Sequence, residues 1–286
     1  MASAPASSEP ATGPSAAALT PVAKPTLSQR IRSGDSRVVT LGLPLLVILI
    51  ILGIWQLLPE LGLVNPIVLP PATEVFKALV EVVQEEYFWQ AVRTTTIETF
   101  SGFAIGATFG WVLGTLIGTF RLARIAFYPP AVALQVMPSV ALVPVLLTWF
   151  GFGMTSKIVM ASIICFFPVL LNTVVGLQTV DKDSRTLMRS LGASGFEEYR
   201  KLLLPASLPV MFAGLKYGLT LALVGAIVAE FVGGSEGLGV LIKTFNFQLE
   251  VNLGFAVVLV LLMFGLALWG LMTLIERTVV FWKGHR

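Results

Sequence analysis

The apolar residues of this chain gather in long stretches almost free of charge, not in the short alternating runs of soluble strands. Val38–Pro59, Thr99–Phe120, Ile125–Ser156, Ile158–Val180 and Val251–Ile275 contain no Asp, Glu, Lys or Arg. About 20 apolar residues cross a bilayer as a helix, so each stretch is long enough to span one. Ile125–Ser156 exceeds one span, and Pro129, Pro130, Pro138 and Pro144 within it shorten or break a regular helix. A sixth span runs from Pro209 to Phe231 and carries Lys216 and Glu230. The pattern predicts an all-α membrane protein with six transmembrane helices, at about 38–59, 99–120, 128–151, 157–179, 209–231 and 252–276. Residues 1–37, rich in Ala, Ser, Pro and Thr, read as a disordered cytoplasmic tail, and residues 38–286 as the transmembrane domain. The basic residues of the tail come late, against the first apolar run, which suits an uncleaved first span rather than a secretory signal.

Loop charge orients these spans. With the N-terminus inside, the cytoplasmic segments hold Lys24, Arg30, Arg32, Arg37, Arg121, Arg124, Lys182, Arg185, Arg189, Arg200, Lys201, Arg277, Lys283 and Arg286. The outer segments hold only Lys77, Arg93, Lys157 and Lys243. That bias predicts that both termini are cytoplasmic, as an even number of spans requires. The outer loop after the first span is acidic, and 72–86, following Pro70-Pro71, reads as a short helix on the outer surface.

Composition agrees and narrows the chemistry. Hydrophobic residues make up 56% of the chain, charged residues 12%, and the mean hydropathy is +0.86. Soluble domains carry about 25% charged residues, so lipid must cover much of this surface. One cysteine, Cys165, permits no internal disulfide, and one histidine, His285, leaves zinc sites and histidine-based catalysis little to work with. No catalytic residue and no metal ligand is assigned. The basic residues sit beside apolar spans, a membrane-orienting distribution rather than a nucleic-acid-binding one.

Within the second span Gly102, Gly106, Gly110, Gly114 and Gly118 recur every four residues. That spacing lines one helix face with missing side chains and predicts close helix packing, with pore lining as the other reading. Gly214 and Gly218 repeat the device in the fifth span. Intramembrane polar residues are the candidates for a translocation path. Lys216 either snorkels to the cytoplasmic headgroups or faces a cavity, where its charge would favour an anion. Glu230 makes a helix-end or gate hydrogen bond or lines the path. Gln135, Ser139, Asn172 and Thr220 line the path or bond a neighbouring helix.

The cytoplasmic loop 180–208 is the most charged internal segment. Ser184–Leu191 predicts one helix, Gly192-Ala193-Ser194-Gly195 a turn, and Phe196–Leu204 a second helix capped by Ser194. Pro205 and Pro209 are expected to bound the start of the fifth span. On these residues alone the loop is either a connector or a docking element. Gly192, Leu202, Leu204 and Pro205 resemble the "EAA" loop of ABC importer permeases, which reads EAA, three residues, Gly, nine residues, Ile, one residue, Leu-Pro. Leu202 stands for the Ile, and Thr186-Leu187-Met188 stands where EAA would.

The resemblance extends along the chain. Leu69-Pro70-Pro71-Ala72-Thr73-Glu74-Val75, Trp149-Phe150-Gly151-Phe152-Gly153 and Ala229-Glu230-Phe231 with Gly237-Leu238-Gly239 are similar to motifs of the nitrate, sulfonate, taurine and bicarbonate branch. It implies a type I ABC importer permease in a bacterial inner membrane, working with a second permease copy as a homodimer. It further implies two cytosolic ATPase subunits that bind ATP and Mg, and an extracytoplasmic solute-binding protein. The solute would be a small organic or inorganic anion. Leu191, Gly192, Ala193, Ser194, Gly195, Phe196, Glu197, Tyr199, Leu204 and Pro205 would form the coupling element. No G-x-x-x-x-G-K-[ST] phosphate loop occurs in the chain, so ATP binding falls to another subunit and this chain is no enzyme. The alternatives are a secondary transporter or channel without an ATPase, and an integral membrane enzyme. An internal repeat would mark the former and a polar cluster at a membrane face the latter.

Overall fold

The computed structural model describes residues 37–282, with side chains from residue 42, so the tail and His285 lie outside it. Every element among the described residues is helical. They divide into two compact units at Ile54/Trp55. The helix α1 (Arg37–Glu60) spans this boundary, and its length to Glu60 fits the first predicted span.

Within the second unit, Pro71 starts α2 (Ala72–Gln84). The Trp55 indole donates to the Pro70 carbonyl (2.9 Å), and Val75 and Ala78 pack against Ala256. Next come α3 (Glu86–Thr119) and α4 (Arg121–Gln135). Arg124 turns the corner between them by donating to the Gly118 carbonyl (2.8 Å), satisfying an orphan acceptor at the end of α3. α3 begins well before residue 99, so Thr95 and Glu98 fall inside the packed bundle.

The third span differs from expectation. In place of one helix over 128–151, α4 bends by 90° into a single 3₁₀ turn (Ser139–Leu142) and α5 (Val143–Phe150). Pro138, which has no amide proton, sits at the break. Pro129 and Pro130 lie inside α4, and Pro144 occupies the first turn of α5, where a missing N–H is harmless. Among the described residues five helices are therefore long and apolar enough to cross a membrane, or six if the bent pair is one span.

The centre of the molecule is α6 (Met154–Gln178), held between α3 and α9 (Leu204–Gly233). The glycine stripe of α3 faces it. A Cβ on Gly110 would lie 2.7 Å from the Phe166 carbonyl oxygen, and one on Gly114 2.8 Å from that of Leu170. Gly102 and Gly106 are closer still, against Ala161 and Ser162. From the other side Gly218 and Gly225 approach Val169 and Ala161, with a Cβ at 2.9 Å in each case. With no hydrophobic drive between helices in lipid, such backbone approach supplies the dispersion contacts that hold them. The short helix α10 (Leu238–Phe247) and the final span α11 (Val251–Val279) complete the unit, Leu238 and Phe245 packing on Val257. α9 continues through Pro209 instead of starting there.

Gly110→Val should destabilise the bundle by about 2 kcal/mol, the typical result of overpacking. Gly270→Ala, whose added Cβ meets nothing within 4 Å, should be neutral or slightly stabilising. Melting temperatures of the two variants in detergent, read against wild type, check both.

Candidate functional site

Three constellations lie on this frame: a loop at one end of α6, a cavity along its middle, and a buried polar cluster at its other end.

The loop begins with α7 (Lys182–Ser190), capped by the Asp181 carboxylate, which accepts from the Ser184 amide (3.1 Å). This bond and the adjoining backbone amides hold the Asp181 carboxyl below its ordinary range. α7 ends in a Schellman motif. The Ala193 amide donates to the Met188 carbonyl (3.1 Å) and the Gly192 amide to that of Arg189 (3.0 Å). This requires Gly192 at φ +79°, a left-handed conformation that a side chain makes costly. Ser194 and Glu197 then form a reciprocal capping box opening the single helical turn α8 (Gly195–Glu198). Hydrogen bonds from Lys201 and from Ser194 bring the exposed Glu197 carboxyl down to about 2, so the box keeps its charge at any physiological pH.

A π-helical turn, Tyr199–Leu203, leads into α9. The Arg189 guanidinium pairs with the buried Glu198 carboxylate (3.0 Å), and Leu203 packs on Leu177 and Val180 at the foot of α6. Arg185 donates to the Leu177 carbonyl, while the Tyr199 hydroxyl lies 3.5 Å from that of Thr115 on α3. The hairpin is thus fixed to the bundle, while Leu191 and Phe196 stand 74% and 69% exposed at its tip. Ala193, Leu204 and Pro205 follow in the same hairpin and at the head of α9.

The cavity, of about 810 Å³, lies against α3, α6 and α9. Its walls are mainly Ile105, Phe109, Phe166, Phe167, Leu221 and Val224, with polar atoms from Gln135, Ser139, Ser162 and Tyr217. Gln135 and Ser139 flank the break in the third span, so the bend delivers them there. Among the described residues none that lines the cavity is charged. The other path candidates stand apart from it. Asn172 donates to the Pro168 carbonyl (2.8 Å) and Thr220 to that of Lys216 (3.1 Å), each one turn back on its own helix. Lys216 pairs with Glu276 of α11 and lies 5.7 Å from the centre of the Trp269 ring. Its charge is thereby engaged on the α11 side, away from the cavity.

Glu230 belongs to the third constellation. It is fully buried near the end of α9. Its Oε1 accepts from the Thr95 hydroxyl (2.6 Å) and its Oε2 from the Gly239 amide (2.7 Å). Thr95 in turn accepts from the Leu238 amide (2.9 Å). Gly237 adopts φ +122°, and a Cβ there would collide with the Glu230 carboxyl, so the turn between α9 and α10 must be glycine to reach it. Glu98 of α3 and Lys157 of α6 are buried as well, and Lys157 donates to the carbonyls of Phe152 and Gly153. Glu98 and Lys157 are missed by the sequence pattern, because both abut apolar runs and read as loop or helix-end charges. Their four-residue offset from Gly102 and Ala161, which touch across the helix pair, is the signal that places them in one layer.

A family model for "Binding-protein-dependent transport system inner membrane component" matches residues 106–281. A probable ABC transporter permease protein of Haemophilus influenzae is 34% identical over 79% of this chain and 91% of its own length. The riboflavin transport system permease protein RibX of Chloroflexus aurantiacus is 32% identical over 85% and 90%. A putative aliphatic sulfonates transport permease protein of Bacillus subtilis is 29% identical over 82% and 85%. The inward-facing MetNI methionine ABC transporter shares the fold, with a TM-score of 0.55 at 19% identity over 67% of this chain and 93% of that one.

Lys216, 12% exposed, pairs with an 18% exposed Glu276, so removing its charge takes an ion-pair partner from a largely buried carboxylate. Lys216→Gln should lower stability by about 2 kcal/mol. The double variant Lys216→Gln/Glu276→Gln should recover most of that loss, and thermal unfolding of the three proteins checks it.

Proposed function

The chain belongs to the binding-protein-dependent transport system inner membrane component family, and from that premise we propose its partners, its topology and the kind of solute it passes. The protein is the permease subunit of an ABC importer. Two copies enclose the path in a multi-pass inner-membrane assembly with both termini cytoplasmic. Two ATPase subunits binding ATP and Mg sit beneath them, and an extracytoplasmic protein delivers the solute.

The observation that carries the coupling reading is the tip of the loop hairpin. A Schellman motif and a capping box rigidify it, an ion pair and a core cluster anchor it, and two large apolar side chains are left uncovered at its apex. Such a knob fits a groove on an ATPase subunit. Closure of the ATPases on ATP would push the hairpin, and through α9 the whole bundle, as a rigid body. ATP biases that motion only through tighter binding to the closed arrangement.

For the solute, the uncharged and largely apolar cavity favours a small organic anion with an apolar body over a bare inorganic ion. Among the relatives' printed solutes, an aliphatic sulfonate joins an apolar body to an anionic head group in this way. Gln135, Ser139 and Tyr217 supply the polar contacts its head group needs.

Phe196→Asp should leave the melting temperature of the permease within a degree or so, yet abolish solute-stimulated ATP hydrolysis by the assembled transporter, since the side chain is exposed. Gly192→Val should reduce coupling and Gly192→Asn retain most of it, because Asn tolerates the left-handed backbone. If Phe196→Asp hydrolyses ATP as wild type does, the docking assignment is wrong. In proteoliposome uptake, short alkyl sulfonates should compete better than nitrate; nitrate outcompeting them would reject the solute class.

A further inference from the structure

Where the loop hairpin enters α9, the spacing of buried residues changes. Leu203, Ser207 and Met211 are buried at steps of four, the spacing of one α-helical face. Leu203 packs on Leu177 and Val180, and Ser207 stands against Gly176, so this face is turned to α6. The next buried position toward the N-terminus is Glu198, five residues before Leu203 rather than four. Five residues of α-helix turn through about 500°, which would set Glu198 roughly 140° off that face. The wide turn Tyr199–Leu203 takes up the extra residue, because the Leu204 amide reaches back five positions to the Tyr199 carbonyl. Glu198 thereby stays buried against Arg189, and the Tyr199 hydroxyl lies beside Thr115 of α3. Pro205 accounts for the wide turn. It has no amide proton for the Lys201 carbonyl four residues back, and in an α-helix its ring would clash with that carbonyl.

We propose that Pro205, by forcing this wide turn, sets the rotational register between the loop hairpin and α9, and with it the direction in which Leu191 and Phe196 face an ATPase subunit. Pro205 is then a positioning residue, acting through the turn rather than through a contact of its own. The inference rests on the coupling reading of the hairpin. An ordinary α-helical turn in the same place would rotate the chain before Leu203 by about 100° around the axis of α9. That rotation would carry Tyr199 off Thr115 and swing the exposed tip aside, while α9 itself stayed packed on α6 through Ser207, Gly214 and Gly218.

The test is a double-variant cycle in the full-length permease. Pro205→Ala allows an α-helical turn, and deletion of the exposed Arg200 removes the extra residue. Each change alone misaligns the hairpin, in opposite senses; together they restore its setting as plain α-helix. In the assembled transporter, with a short alkyl sulfonate on the binding protein, each single change should lower ATP hydrolysis about tenfold or more, and the combination should return it to within about twofold of wild type. Wild-type hydrolysis by Pro205→Ala overturns the proposal, and so does a combined variant no better than its parents. If Pro205→Ala does not fold, the Arg200 deletion alone decides, since wild-type hydrolysis there means that Pro205 does not hold the turn open. In the purified permease, spin labels on cysteines placed at the exposed Ser190 and Thr278 read the geometry directly, the native Cys165 being buried. Pro205→Ala should shift their separation by more than about 5 Å, the outer radius of a helix; an unchanged separation overturns the register role. The hydrolysis arm rests on the importer reading and the spin-label arm does not, so the two can fail separately.

Discussion

The structure depends on how closely α3 and α9 approach α6. Lipid offers a leucine no advantage in leaving it, so these helices cannot be held by the hydrophobic effect that drives a soluble core. Glycines on the two outer helices bring backbone to backbone instead. Where Gly106 and Gly110 meet Ser162 and Phe166, and Gly218 and Gly225 meet Val169 and Ala161, a single Cβ has no room. All three constellations are hung on that three-helix layer: the loop at its foot, the cavity on its flank and the buried polar cluster at its head.

The same layer carries buried polar groups at its head. Glu98, Lys157 and Glu230 come from the three helices of this layer, one from each, and all three are buried. The turn after α9 contributes the Gly239 amide to Glu230 because its glycines can pass against the carboxylate. Lys216 satisfies its charge differently, with Glu276 and the Trp269 face on α11. Both arrangements keep charge off the cavity wall, which is what leaves that wall apolar.

Much of this was legible in the sequence. Length and charge-free runs mark the spanning helices, and the four-residue glycine period marks the packed face of α3. Gly192 and Ser194 at fixed offsets mark the turn and cap of the loop. What was not legible has physical causes. A proline run does not say which proline breaks a helix: Pro129 and Pro130 are absorbed inside α4, while Pro138 meets a 90° bend. A charge at the edge of an apolar run does not say whether the helix has already begun, which hid Glu98 and Lys157. The direction in which Lys216 points depends on Glu276, sixty residues on and on another helix. Local pattern carries periodicity and chain punctuation; it does not carry which helix a polar side chain will meet.

The remaining link is mechanical. From Leu204 to Glu230 the helix is unbroken, so at 1.5 Å per residue about 39 Å separate the loop hairpin from the carboxyl cluster. A helix clamped along its length by backbone contacts to α6 has little freedom to bend, and a push at Leu204 moves Glu230 with it. The Gly237–Gly239 turn, held to Glu230 through the Gly239 amide, lies where that movement arrives.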